Sequence, residues 1–390
     1  MKILIVTPKY YPDNFPITLV AERLVKEGHE VDVLTSLPFK EGNYIKGYNE
    51  GLTKENGVNI FRVKTTIRKE STSSLIRNYL SLHKIFKRWA KKCHKEYDLV
   101  YSYSISPVIS LVAGNIYSKK HHVPHIVYVL DVWPESVVAV GRTTNHSLLY
   151  KCLLSWSKKE YQGASKIIIG SKDFKEYLTD IIKLDNVSIE YLPQPGLVFE
   201  DKDSKNPYDS KKTNLLYCGN ISKLQLVDYF IPANERLNNN NVVLNIVGNG
   251  SYLSEFKNEL ASKNLDNIIY HGSFDYKESS KYFRYSDAIV VSLKNKGIVG
   301  KTLPNKLISS LYYAKPIIGL VDGEAKEVLV KNGNIVSLQS IDGLVDSINK
   351  FLELSKEDIK AIENKNRQYY DDYYSIDKFI EKLLSSFSSK

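Results

Sequence analysis

Cysteine is scarce in this chain. Its three copies in 390 residues, Cys93, Cys152 and Cys218, lie far apart and form no CxxC pair. That excludes a disulfide framework and a cysteine zinc site, and it suits a reducing compartment. Long apolar runs are missing as well: none approaches the roughly 18 residues that a membrane-spanning helix requires. The opening Ile3-Leu4-Ile5-Val6 is too short for a signal-peptide core and runs into Thr7-Pro8-Lys9 without a cleavage site. It reads as a buried strand, and the chain is expected to stay in the cytoplasm. Histidine clusters only at His121, His122 and His125, with no carboxylate or cysteine at ligand spacing, so no metal site is expected there. There is no GxGxxG, no short repeat and no low-complexity tract.

What is present is ordinary in amount and uneven in distribution. The hydrophobic fraction of 43% and charged fraction of 25% are those of a globular protein, and the length predicts two domains. The net charge of +10 lies almost wholly in the first half, where residues 1–190 carry 28 Lys/Arg against 19 Asp/Glu. Residues 62–95 alone hold eleven basic residues and one acid, Glu70. Within them Leu75, Tyr79, Leu82, Phe86 and Trp89 recur at helical spacing, while Arg77, Lys84, Arg88, Lys91 and Lys95 line another side. This basic amphipathic pattern suits an anionic membrane surface, although the apolar stripe also suits packing on a sheet. No nucleic-acid motif stands beside it, so no nucleic-acid partner is expected.

Short β-branched runs alternate with longer amphipathic segments, the mark of βαβ units and parallel sheets. Strands are expected at 2–6, 30–35, 59–63, 99–101, 125–130, 166–169 and 188–191, with helices between them. Pro193-Gln194-Pro195-Gly196 and the polar stretch after it read as a linker, and the alternation then restarts at 214. The expected division is a first α/β domain over 1–195, a linker over 196–213, a second domain over 214–370 and a terminal helix over 371–390. Ligands of such sheets bind beyond the carboxyl ends of the strands.

Three segments of the second half are placed for that. Gly219-Asn220 and Gly248-Asn249-Gly250 are glycine turns directly after strands, where backbone N–H groups approach phosphates. Gly300-Lys301-Thr302-Leu303-Pro304-Asn305-Lys306 leads into a helix with Pro304 in its first turn. Lys301 and Lys306 then sit beside the positive end of the helix dipole, a conflict that a bound dianion resolves. In the first half Asp131, Trp133 and Glu135 follow a strongly apolar strand and suit ligand binding or acid–base work, unless Asp131 merely caps a helix.

In their order and spacing these segments resemble the retaining glycosyltransferase family four of the GT-B fold, and most of all its bacterial members that build capsule, exopolysaccharide or O-antigen units. The matching stretches are 2–13 with Gly28-His29-Glu30-Val31, 131–135 with Ala139-Val140-Gly141, 164–171, 219–225, 247–250, Ser286-Asp287-Ala288, 304–306, and Ala314-Lys315-Pro316 followed by Asp322-Gly323-Glu324. The resemblance implies two Rossmann-like domains with parallel sheets facing across a cleft. It implies a nucleotide sugar on the second domain, metal-independent transfer with retention, and a terminal helix packed on the first domain. Gly219, Asn220 and Gln225 would lie beside the diphosphate and sugar, Lys306 would meet the phosphates, and Phe274 would flank the base. Asp131 would face the acceptor and reacting carbon, with Asn14, Trp133 and Glu135 on the acceptor side. Many family members carry two glutamates, eight positions apart, before the Lys-Pro; here those positions are Lys301 and Ser309.

The expected reaction is transfer from a UDP-linked sugar to an undecaprenyl-pyrophosphate-type, lipid-linked saccharide, without a cofactor or metal. Residues 62–95 would hold the enzyme on the inner face of the cell membrane. Two alternatives stay open. One is a sugar-nucleotide 2-epimerase of the same architecture, for which a dense His, Glu and Asp set is missing. The other is a non-catalytic basic α/β module.

Overall fold

The computed structural model describes residues 1–388 except 41, 69–70, 186, 201–202, 238 and 264, so Lys69 and Glu70 of the basic stretch lie outside the described residues. The chain forms two compact units, Met1–Gln194 with Phe379–Lys390, and Pro195–Lys378.

The first unit opens with β1 (Lys2–Val6), α1 (Ile17–Lys26) and β2 (Glu30–Ser36). A small hairpin, β3 (Phe39–Lys40) and β4 (Asn43–Tyr44), precedes β5 (Gly51–Glu55) and β6 (Val58–Val63). Then follow α2 (Thr72–Lys92), β7 (Leu99–Ser104), α3 (Ile109–His121), β8 (His125–Val129), α4 (Glu135–Ala139) and α5 (Leu148–Gln162). The unit continues with β9 (Lys166–Ile169), α6 (Phe174–Glu176) running into a π turn (Tyr177–Ile181), and β10 (Ser188–Tyr191). The sheet order is β10-β9-β8-β7-β1-β2-β6-β5, parallel throughout except for β5, which pairs antiparallel with β6. Strands such as β1 and β8 are buried along nearly their whole length, which is why they read as unbroken apolar runs. Helix α1 buries Ile17, Val20, Ala21 and Leu24 at helical spacing, and Ser71 caps α2 by accepting the Ser74 N–H at 3.2 Å.

The basic stretch is not one continuous surface. Arg62 is buried, pairs with Glu55 at 2.9 Å and lies over the Tyr48 ring; Lys95 pairs with Glu30 and Asp32. Both ends of the stretch are therefore structural. Leu75, Leu82 and Phe86 are buried in the core, whereas Arg77, Lys84, Lys87, Arg88, Lys91 and Lys92 are exposed.

The second unit contains β11 (Thr213–Asn220), α7 (Phe230–Leu237), β12 (Val242–Asn249), α8 (Leu253–Lys263) and β13 (Ile268–Gly272). It continues with α9 (Tyr276–Tyr285), β14 (Ala288–Ser292), α10 (Asn305–Tyr312), β15 (Ile317–Leu320), α11 (Gly323–Lys331), β16 (Ile335–Val336), α12 (Ile341–Leu352) and α13 (Lys356–Tyr373). Its all-parallel sheet runs β13-β12-β11-β14-β15-β16, so the direction of chain progression reverses between β11 and β14. The corresponding reversal in the first unit falls between β1 and β7. Each unit is thus Rossmann-like, with a ligand crevice expected at its own reversal.

Residues 196–213 differ from the expected linker. They belong to the second unit, where Tyr208 packs on His271 and Tyr282 and donates to the Tyr282 carbonyl at 2.9 Å. The Leu197, Phe199 and Ser204 carbonyls also accept hydroxyls of Ser309, Tyr313 and Tyr285, so a few anchors fasten this polar, proline-punctuated stretch. At the other end, α14 (Ile376–Ser388) buries Phe379, Ile380 and Leu383. Phe379 meets Tyr128 edge-on, and Lys166 donates to the Ser386 carbonyl at 2.9 Å. Among the described residues no helix is long and apolar enough to cross a membrane.

Candidate active site

At the reversal in the second unit, β11 and β12 end side by side, Gly219 opposite Gly248 and Asn220 opposite Asn249. A Cβ on Gly248 would stand 1.8 Å from the Gly219 carbonyl oxygen, and one on Gly250 would stand 2.2 Å from that of Ile221. Glycine at 248 and 250 is therefore demanded by contact between the two turns, before any ligand is considered. Gly219 differs, because a Cβ there would meet Lys306 Cδ first, at 3.5 Å.

Lys306 is the second residue of α10, behind Pro304 at the N-cap. Its Nζ donates to the Ser292 carbonyl at 2.8 Å and to Gln225 Oε1. It stands 4.6 Å from the centre of the Tyr217 ring and 3.5 Å from the Tyr217 hydroxyl. Every one of these partners is neutral. Burial pushes the ammonium down to about 7, and no carboxylate among the described residues pairs with it. A cation desolvated at a helix N-terminus, without a counter-ion, is an anion site in physical terms.

The chain makes a sharp turn to bring Gln225 there. A 3₁₀ turn (Lys223–Gln225) ends at Leu226, whose φ of 53° is left-handed. That conformation costs about 1–2 kcal/mol for an L-residue, offset here by burial of the leucine side chain. The Gln225 carbonyl accepts the Ser292 hydroxyl, tying this turn to the end of β14.

The other expected donor-side residues are spread around this centre. Asn220 and Asn249 are exposed at the two strand ends, with Asn249 Oδ1 accepting the Gly250 N–H at 2.7 Å. Phe274, beyond β13, stacks on Tyr282 at 5.5 Å. Lys301 closes a 3₁₀ turn (Val299–Lys301) before α10. Ser309 is buried and its Oγ donates to the Leu197 carbonyl at 3.1 Å, so the structure gives it a packing partner rather than an open face. Gly219, Gln225 and Lys306 are the expected residues brought together. Tyr217, Ser292 and Leu226 complete the centre and escaped sequence reasoning. The first two look like core strand residues, and nothing in the sequence marks Leu226 as left-handed.

In the first unit, Asp131 follows β8 at the carboxyl edge. Its Oδ1 accepts the Val132 N–H at 2.9 Å, while α4 begins at Glu135 without a side-chain cap, so Asp131 caps no helix. Burial raises its carboxyl above the ordinary range, against the lowering effect of Ser106 and the Val132 N–H. Glu135 accepts the Tyr150 hydroxyl, and Asn14 is exposed. Trp133 is only 2% exposed and packs edge-on to Trp156. Its carbonyl accepts the Ser157 and Tyr177 hydroxyls, and its indole N–H is buried without a partner among the described residues. The histidines do not converge: His121 reaches the Cys93 carbonyl, His122 takes a left-handed conformation after α3, and His125 is buried between Ser102 and Asn115.

Comparison with known proteins agrees with this architecture. Residues 198–368 match the family of glycosyl transferases group 1, and residues 17–195 match Glycosyltransferase Family 4. The chain is thus a glycosyltransferase of the GT-B type. It is 23% identical over 278 residues to the probable glycosyltransferase WbjE of Pseudomonas aeruginosa, covering 67% of this chain and 68% of that one. Among solved structures it resembles sucrose-phosphate synthase from Thermosynechococcus elongatus, with a TM-score of 0.78, 14% identity and coverage of 99% and 98% of the two chains. It also resembles Anabaena Alr3699/HepE in complex with UDP and glucose, with a TM-score of 0.70, 13% identity and full coverage (100%) of both chains.

Proposed function

We propose that the chain transfers a sugar, with retention of anomeric configuration, from a UDP-linked donor to an undecaprenyl-pyrophosphate-type, lipid-linked saccharide in the synthesis of a bacterial surface polysaccharide. The observation that carries this reading is Lys306, a desolvated cation at the start of α10 and the end of β14 with neutral partners only. The binding of UDP and glucose by Alr3699/HepE supports the choice of donor.

In this reading the bond from the anomeric carbon to the diphosphate breaks and its electron pair passes to the β-phosphate oxygen. Lys306 and the N-terminal end of α10 meet that charge where a metal would otherwise be needed. The acceptor oxygen forms the new bond on the same face of the sugar. Asp131 is assigned its proton, because a carboxyl held above the ordinary range is the better base near neutral pH. Gly219, Asn220, Gln225 and the 248–250 turn are assigned to the donor, with Phe274 beside the base. Transfer of labelled sugar by wild type and Lys306→Ala tests the assignment: loss of one such donor costs about 3 kcal/mol, or 10²–10³ in turnover. An unchanged rate removes Lys306 from the chemistry.

The exposed bases of α2 are assigned to the inner face of the cell membrane, where such an acceptor resides. Each contributes about 1 kcal/mol near an anionic surface. Flotation with anionic liposomes that weakens as salt rises supports this; no flotation at low salt removes it.

A further inference from the structure

A separate cavity opens in the first unit, beneath the carboxyl-terminal half of α2. Its volume is about 550 Å³, within the range of small-molecule sites. Phe61, Val63, Ile85 and Trp89 make its apolar wall, with Phe61 and Trp89 edge to face at 5.6 Å. Arg88 and Lys92 stand at its rim, exposed and without an ion-pair partner among the described residues. Lys95, also on the lining, is held by Glu30 and Asp32, and the Glu50 carboxylate lines the cavity as well. The negative end of the α2 dipole accounts for bases in its last turn, but not for the apolar hollow below them.

The cavity runs along the sheet, from Lys95 and Tyr97 near its amino end to Val63 at the carboxyl end of β6. Lys95, on its lining, pairs with Glu30 at the start of β2, and the neighbouring Asp98 carboxylate accepts the Lys2 N–H at the start of β1. None of its lining residues is among those assigned above to donor or acceptor.

We propose that this cavity binds an anionic amphiphile, with the headgroup on Arg88 and Lys92 and the apolar chain among Phe61, Ile85 and Trp89. Two cations without ion-pair partners among the described residues, beside an aromatic hollow, match a lipid phosphate or a fatty carboxylate. The site is a second one, independent of sugar transfer, and it holds whether or not the transfer reaction proposed above is correct.

Calorimetric titration of the full chain with dodecyl phosphate below its micellar concentration tests it. Saturable binding to one site is expected, at least tenfold weaker in Arg88→Glu/Lys92→Glu and at least tenfold weaker for inorganic phosphate or dodecanol. Both substitutions are on the exposed side of α2, and an unchanged circular dichroism spectrum shows that the fold survives. Cys93 lines the same cavity and Cys152 is an exposed thiol elsewhere, so maleimide labelling read by mass spectrometry locates the occupant. Dodecyl phosphate should slow labelling of Cys93 severalfold and leave Cys152 unchanged. Vesicles of phosphatidylglycerol that protect Cys93 assign the ligand to the bilayer, and protection by the monomeric amphiphile alone assigns it to a free anion; either result supports the site. Absence of saturable binding, equal affinity in the double variant, or equal slowing at both cysteines overturns it.

Discussion

Nucleotide-sugar binding should take up a proton. In the free protein burial pushes the Lys306 ammonium from its ordinary value of 10.5 to about 7. A diphosphate placed against Nζ favours the charged form and returns the value toward the ordinary one. Affinity should then be nearly flat below about pH 6 and fall about tenfold per unit above roughly pH 7. Between about pH 6 and pH 8.5 the loss is roughly thirtyfold, or about 2 kcal/mol. The neighbours do not blur this window, since burial pushes the Cys218 thiol up to about 12 and the Tyr217 hydroxyl well above its ordinary value. Calorimetry with UDP-glucose in two buffers of different ionisation enthalpy reads the effect directly. Uptake should be about half a proton at pH 7 and should approach one by about pH 8.5. Lys306→Met should bind weakly, with no uptake. An affinity independent of pH, or net proton release in wild type, refutes the reasoning.

Further expectations concern stability and catalysis. The unfolded chain keeps Lys306 charged up to about 10.5, so stability of the free protein should rise with pH from about 7 toward 10.5. Lys306→Met should accordingly raise the Tm of the nucleotide-free protein, most below pH 7, and a lowered Tm contradicts the burial argument. Gly248→Ala drives a methyl group to 1.8 Å from the Gly219 carbonyl and should cost about 1–3 kcal/mol in denaturant unfolding, with loss of nucleotide binding. Burial lowers His125 to about 3, so its neutral form stabilises the fold above its ordinary value of 6.5. That contribution should be lost as pH falls from about 6.5 to 3, by up to roughly 5 kcal/mol, and His125→Gln should flatten the acid limb of the stability curve. Asp131→Asn should cut transfer by about 10²–10⁴ while leaving nucleotide affinity unchanged.

The fold was most legible where burial is two-sided and short. Strands at Lys2–Val6 and Lys166–Ile169 fall where their apolar runs place them. Strand Gly51–Glu55 escaped notice because it is an antiparallel edge strand of mostly exposed polar residues, with no apolar face to signal it. After β11 the helix begins only at Phe230, because left-handed Leu226 breaks the preceding segment into 3₁₀ turns. Residues 196–213 read as a linker because composition reports solvation and not the few anchors, such as Tyr208 and the Leu197 and Phe199 carbonyls, that fasten the stretch.

The site was legible in its charges and illegible in its neutral partners. Lys306 stands out because a cation at a helix start opposes the dipole, and Gln225 because the resemblance pointed to it. Tyr217 and the Ser292 carbonyl share the pattern of buried strand residues, so only the fold reveals that they surround Nζ. Trp133, read as an acceptor-side residue because it stands beside two carboxylates, lies buried with its ring edge-on to Trp156. The glycine turns were located correctly, but the structure explains Gly248 and Gly250 by contact between the turns, leaving Gly219 beside the lysine.

The central claim is that the second unit holds a nucleotide sugar at Lys306. Thermal unfolding of wild type and Lys306→Ala against a panel of UDP-, GDP-, dTDP- and CMP-linked sugars tests it most directly, because a ligand bound only by the folded state must raise the transition temperature. The account predicts a concentration-dependent rise with a UDP-linked sugar in wild type and little or none in the variant. An equal rise in both proteins, or no rise with any UDP-linked sugar, contradicts it.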